Sequence, residues 1–198
     1  MITDATEITN LSIDKKLWTA NVSVDNDRNF VEMQQKRVYT SGCGRGVQFY
    51  SLSDMALKGR KIESAFSVKS DTIRALVSEF QHQSELFQKT GGVHSAALAR
   101  VNAITVFRDD IGRHNAIDKV VGNTIIERSD FDDIILLTSG RISSEVILKA
   151  AKCGIPIVVS RSAVTNQAVL LSQHFGITLV GFARGKRLNI YSGGERIL

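Results

Sequence analysis

The chain has 198 residues, 43% hydrophobic and 23% charged, a balance that suits a folded core and excludes a low-complexity chain. Lysine and arginine outnumber aspartate and glutamate 25 to 20, and a net charge of +5 so dispersed does not by itself argue for nucleic acid. No apolar run reaches the roughly 20 residues that span a bilayer, and the opening MITDATEITN lacks the basic and apolar regions of a secretory signal.

The first elements read as strands. In LWTANVSV, residues 17–24, Trp18, Ala20, Val22 and Val24 alternate with Leu17, Thr19, Asn21 and Ser23, a period of two. DNDRN is a polar turn, and NFVEMQQKRVYT continues as a second strand into the loop TSGCGRG. From Ser70 the period changes: Ile73, Leu76, Val77 and Phe80 recur at helical spacing, with Ser70 placed as the N-cap. A boundary between a β-rich part, residues 1–65, and an α/β domain, residues 66–198, is expected in this region.

The second half alternates strand and helix. ITVFRDD, DIILLTSGR, IPIVVSRSA and ITLVGF read as apolar strands. NAIDKVVGNTI, SSEVILKAAKCG and NQAVLLSQHFG read as helices, the first with Ala116, Ile117, Val120 and Val121 on one face. The second of them is capped by Ser143 or Ser144 and stopped by Gly154. Near-continuous apolar strands imply a sheet covered on both faces, so the fold class is α/β. Polar clusters follow these strands: Asp109–Asn115, Thr138–Arg141, Ser160–Asn166 and Ala183–Arg187. Ligands of such sheets bind beyond the carboxyl ends of the strands, and core packing gives no reason for arginine at several strand ends.

Cys43, between two glycines in GCGRG, has a backbone free to take positive φ, with Arg45 close enough in sequence to favour a thiolate. The same glycines also suit a tight turn whose cysteine merely fills a gap, and local sequence does not separate the two. Cys153, at a helix end, reads as a packing residue. The two cysteines have no metal-ligand spacing and read as free thiols of a reducing compartment, which points to the cytoplasm.

His82 and His174 lie in helical contexts, while His94 and His114 each follow a glycine-containing turn at an expected helix start. A zinc deaminase needs a neighbouring glutamate and a C-x-x-C downstream, which neither His94 nor Cys43 has, so no catalytic metal is expected. There is no Walker motif and no G-x-G-x-x-G. The cations of GFARGKR suit a nucleotide phosphate or another anion, or else a solvated basic hairpin. Arg196 adds to the basic bias of this terminus.

TSGCG, TGGVHSAAL, RDDIGRHNAIDKVVG, TSGRISSEVILKAAKCGIPIVVSRSAVTNQAV and GITLVGFARGKRLNIY together resemble, in order, the formate dehydrogenase accessory sulfurtransferases, the FdhD family. The resemblance implies a cytidine-deaminase-like core with a mixed sheet flanked by helices, and a homodimer. It implies a persulfide relay from a cysteine desulfurase to the molybdenum bis(molybdopterin guanine dinucleotide) cofactor, for the maturation of formate dehydrogenases. The persulfide cysteine then corresponds to Cys43. The cofactor contact corresponds to Phe182, Ala183, Arg184, Gly185, Lys186 and Arg187. No membrane or nucleic-acid partner is implied.

Two departures stand out. Many relatives have C-x-x-C at the loop, where this chain has Gly46, so a resolving cysteine is missing there. The family also carries further β-rich sequence at its N-terminus, so this chain reads as truncated or as a short member. Gly46 keeps an alternative open: a cofactor-binding chaperone that transfers no sulfur. Beyond these residues, His94, Arg113, His114, Arg141 and Arg161 are candidates to share the crevice, with Asp109, Asp110 and Asp118 as partners of these cations or as acids.

Overall fold

A computed structural model describes residues 8–17, 19–24, 61–127 and 129–198, and the chain divides into two compact units, residues 1–54 and 55–198. Cys43 and the second expected strand lie outside the described residues. In the first unit, β1 (Ile8–Asp14) and β2 (Thr19–Val24) form an antiparallel hairpin with a bulge between Ile8 and Asn10. Asp14 shapes its turn by accepting the backbone N–H groups of Lys16 and Leu17 at 2.8 and 3.0 Å.

The second unit starts with α1 (Ser70–Gln83), whose apolar stripe Ile73, Leu76, Val77 and Phe80 is buried as its spacing requires. Lys69, not Ser70, is its N-cap; Ser70 is already helical, and its hydroxyl instead accepts from Arg74 Nη1. A short helix, α2 (Glu85–Thr90), follows, capped by Ser84 accepting from the N–H of Phe87. Then come β3 (His94–Arg100), β4 (Ala103–Asp110), α3 (Arg113–Ile126), β5 (Ile135–Thr138), α4 (Ser144–Cys153), β6 (Ile157–Ser160), α5 (Asn166–Phe175), β7 (Thr178–Arg184) and β8 (Arg187–Ser192). A 3-10 turn, Gly194–Arg196, closes the unit.

The six strands form one mixed sheet in the order β4-β3-β5-β6-β7-β8, parallel across β5, β6 and β7 and antiparallel elsewhere. The expected α/β architecture of a mixed sheet flanked by helices is present. Alternation along the strands sorts the core. Ala97, Ala99, Ile135, Leu137, Ile157, Val159 and Val180 pack with the buried stripe of α1, while α3 lies against β3 and β4, and α5 against β7 and β8.

His94 opens a strand rather than a helix. The run that follows it, Ser95 to Ala99, is buried throughout and pairs with a strand on each side. Alanine-rich sequence favours a helix in isolation, but two flanking ladders and two covered faces override that preference. His114 does sit at a helix start, in the first turn of α3.

Arg196 is not part of a basic surface. Its side chain is buried and anchors the segment before α1 to the sheet. Nε donates to Ser64 O at 3.2 Å, Nη1 to Gly176 O at 2.9 Å and Thr178 Oγ1 at 3.3 Å, and Nη2 to Ile62 O at 3.4 Å. Replacing it by alanine strands one buried and several part-buried acceptors at once. Arg196→Ala is expected to lower unfolding free energy by about 2–3 kcal/mol, the scale of hydrogen bonds to charged groups, read as a reduced urea midpoint. Lysine recovers only part of the loss, because an ammonium cannot reproduce the guanidinium fork.

Candidate functional site

Because β4 and β5 both run antiparallel to β3, the strands β4, β5, β6 and β7 all end at the same edge of the sheet. That edge gathers Asp109–Asn115, Thr138–Arg141, Ser160–Asn166 and Ala183–Arg187, as the strand pattern suggests. The loops are tied together. Ser160 Oγ donates to Gly140 O at 2.6 Å, Ile142 N to Ala163 O at 3.0 Å, Thr165 N to Ile142 O at 3.0 Å, and Phe182 N to Ser162 O at 3.0 Å.

The 182–187 turn is built on a bulge in β7. Register is lost between Gly181 and Arg184, and Phe182 takes φ 51°, a left-handed conformation that costs a non-glycine residue about 1–2 kcal/mol. Strain of that kind persists where the surroundings impose it. The Arg187 guanidinium lies 5.8 Å from the centre of the half-buried Phe182 ring, within reach of a cation–π contact. Ala183 is buried in the core, so it offers a ligand no side chain. Arg184, Gly185, Lys186 and Arg187 are exposed. The turn is pinned twice: Arg184 Nε donates to Arg161 O at 2.7 Å, and Arg74 Nε from α1 donates to Lys186 O at 3.3 Å. Arg74 has no sequence signature for this role, since its partner lies 112 residues away.

The structure brings Arg161 and Arg184 together, and burial and the Arg184 charge both lower the Arg161 pKa. At the neighbouring strand end, His94 Nδ1 stands 3.3 Å from Ser139 Oγ, which also accepts the N–H of Ser95 at 2.9 Å. Burial, then the charges of Arg113 and Arg141, hold the His94 imidazole below its ordinary pKa. Arg113 crosses Gly140 so closely that a Cβ there would lie 2.8 Å from Arg113 Cβ. Glycine at this position makes room for the aliphatic stem of Arg113.

The acids at this edge have other partners. Asp109 accepts from Ser95 Oγ at 2.7 Å and Ser84 Oγ at 2.8 Å. Asp110 stands 2.6 Å from Lys119 Nζ and accepts from Gly112 N and Asn115 Nδ2. Asp118 pairs with Lys149 at 2.5 Å. His114 Nε2 approaches buried Glu145 to 2.9 Å without hydrogen-bond alignment, and burial lowers the His114 pKa despite that carboxylate. Among the described residues, Arg113, Arg141, Arg161, Arg184, Lys186 and Arg187 make no ion pair. The Nε atoms of Arg113 and Arg161 are buried without a partner.

Cys153 lies at the end of α4, and burial pushes its thiol up to about 11, which leaves little thiolate at neutral pH. Among the described residues, no group of three or more His, Cys, Asp or Glu is placed to hold a metal, and no helix is long and apolar enough to cross a membrane.

Comparison with known proteins agrees with this architecture. The FdhD/NarQ family matches residues 1–198. The chain is 42% identical over 192 residues to a protein of Bacillus pumilus named sulfur carrier protein FdhD, covering 96% of this chain and 73% of that one. It is 46% identical over 163 residues to a protein of the same name from Listeria innocua, covering 82% of this chain and 62% of that one. A crystal structure from Desulfotalea psychrophila, assigned as a formate dehydrogenase accessory protein, superposes with a TM-score of 0.78 at 27% identity, covering 100% of this chain and 74% of that one.

Asp110 offers a test of this edge. Burial works to raise its pKa, but Lys119 and the hydrogen bonds from Gly112 and Asn115 outweigh it and hold the carboxyl below its ordinary 3.8. A lowered carboxylate pKa contributes stability above the unfolded value that is lost as pH falls through the folded one. Asp110→Asn is therefore expected to lower the melting temperature at neutral pH, with the difference from the parent shrinking once pH falls below 3.8.

Proposed function

The chain belongs to the FdhD/NarQ family, and on that premise we propose that it is a sulfur carrier that matures formate dehydrogenase. Cys43 receives a sulfane sulfur from a cysteine desulfurase. The carboxyl edge of the sheet holds the cargo, the molybdenum bis(molybdopterin guanine dinucleotide) cofactor, to which the sulfur passes. The relatives' names support the carrier role, and the neighbouring crystal structure supports a formate dehydrogenase as client.

The observation that carries the cargo half of this reading is the imbalance at the edge. Five arginines and a lysine lack carboxylate partners among the described residues, while the nearby acids are engaged by serines, lysines and a histidine. Clustered cations with low-dielectric walls attract polyanions strongly. Guanidinium forks match the paired oxygens of a diphosphate, and the half-buried Phe182 ring supplies a flat face on which a guanine base can stack. The residues present therefore fit a guanine dinucleotide. Phe182, Arg184, Lys186 and Arg187 would hold it through side chains, and Ala183 and Gly185 through backbone.

The sulfur half rests on Cys43. Its thiolate attacks the sulfane sulfur of a desulfurase persulfide; the new S–S bond forms at Cys43 as the desulfurase thiolate leaves. This acceptance needs one sulfur on the carrier, so Gly46 does not prevent it. The thiol of Cys153, half-buried and held in its protonated form, takes no part.

Incubation with a cysteine desulfurase and cysteine is expected to add sulfur to Cys43 and none to Cys153, read by peptide mass spectrometry. Cys43→Ser is expected to abolish both the adduct and formate dehydrogenase activation, while Cys153→Ser keeps both. Full activation by Cys43→Ser, with cofactor binding retained, would instead make the protein a cofactor chaperone.

A further inference from the structure

We propose that His94, held beside the Ser139 hydroxyl, forms a second oxyanion subsite at this edge with Arg113, packed on Gly140, and exposed Arg141, and that an anion bound there is taken up together with a proton on His94. The inference deepens the reading that the edge binds an anionic cofactor. It concerns residues other than those of the 182–187 turn. The ends of β5 and β7 lie two strands apart in the sheet, about 10 Å at 4.8 Å per strand.

The geometry supplies the subsite. His94 is held through Nδ1 near Ser139 Oγ, which leaves Nε2 for a ligand. Arg113 is seated over Gly140 with its Nε buried and unpartnered, and exposed Arg141 makes no ion pair among the described residues. Such an arrangement of donors without acceptors is suited to phosphoryl or other multiply charged oxyanions.

The surrounding charges fix the sign of the linkage. On β4, Asp110 pairs across the strands with His94, but its carboxylate is engaged by Lys119. Asp109 is engaged by Ser84 and Ser95. On α4, Glu145 faces His114. The charges that act on His94 are the two guanidinium groups, which oppose its protonation. A bound dianion offsets them, so the imidazole pKa rises on binding and the anion binds more tightly as pH falls.

Proton NMR titration of the four histidines in the full chain reads this directly, with His94→Gln identifying the resonance. Inorganic sulfate is the first probe, since it keeps its double charge over the range of about pH 5 to 8 in which histidine titrates. Saturating sulfate is expected to raise the His94 midpoint by about one pH unit, equivalent to about tenfold tighter binding to the protonated form. Arg141→Gln, a change at an exposed side chain, is expected to remove that rise.

A guanosine-diphosphate sugar, whose diphosphate diester has a fixed charge, is the second probe. The same rise with this probe assigns the subsite to the nucleotide's diphosphate; a rise with sulfate alone assigns it to another anionic group of the cargo. A His94 midpoint unmoved by either anion, or a rise that persists in Arg141→Gln, overturns the subsite. Absence of a persulfide on Cys43 would overturn the carrier reading and leave this titration untouched.

Discussion

The direction in which the strands run governs everything at the candidate site. Had β4 and β5 paired with β3 in opposite senses, the cluster after β4 would lie at the opposite end of the sheet from those after β5, β6 and β7. The two parallel pairings that follow depend on α4 and α5 as crossovers, because parallel strands cannot be joined by a tight turn. Each crossover returns the chain to the far edge and sends the next strand out toward the same loops. The bonds Ser160 to Gly140, Ile142 to Ala163 and Phe182 to Ser162 then fix those loops to one another.

Gathering arginines in this way has an electrostatic cost. Like charges repel, and burial disfavours the charged form of Arg161, whose pKa is lowered for both reasons. A chain under selection for stability alone would place carboxylates among these guanidiniums. Here, hydroxyls and lysines occupy the acids instead: Ser84 and Ser95 hold Asp109, and Lys119 holds Asp110. The cationic edge is thereby left to be compensated by a ligand, the exchange of stability for function that binding sites commonly show. The strained backbone of Phe182 is a second instance, and the bulge it creates presents the turn.

Much of the second unit was legible in the residues. The stripe of α1, the stop of α4, and the apolar strands β5, β6 and β7 follow from local periodicity and from Gly154 at positive φ, whereas Ser143 holds the N-cap position of α4 without its hydroxyl making a capping bond. Local rules mislead where long-range pairing decides the outcome. The alanines after His94 suit a helix until they are placed between β4 and β5. Arg196 reads as one more surface cation, although its four acceptors lie as far away in sequence as Ile62. The role of Arg74 beneath the 182–187 turn is invisible for the same reason.

The sequence by itself determined the class of fold, the arginines at the strand ends and the family resemblance, because periodicity, turn chemistry and motif order are local properties of the chain. The tertiary structure decided which cations share a site and which acids are already taken. It put His94 beside Arg113 and Arg141, Arg161 beside Arg184, and Arg196 inside the core. Those outcomes depend on strand direction and burial, through which charges distant in the chain act on one another in a medium of lower dielectric than water.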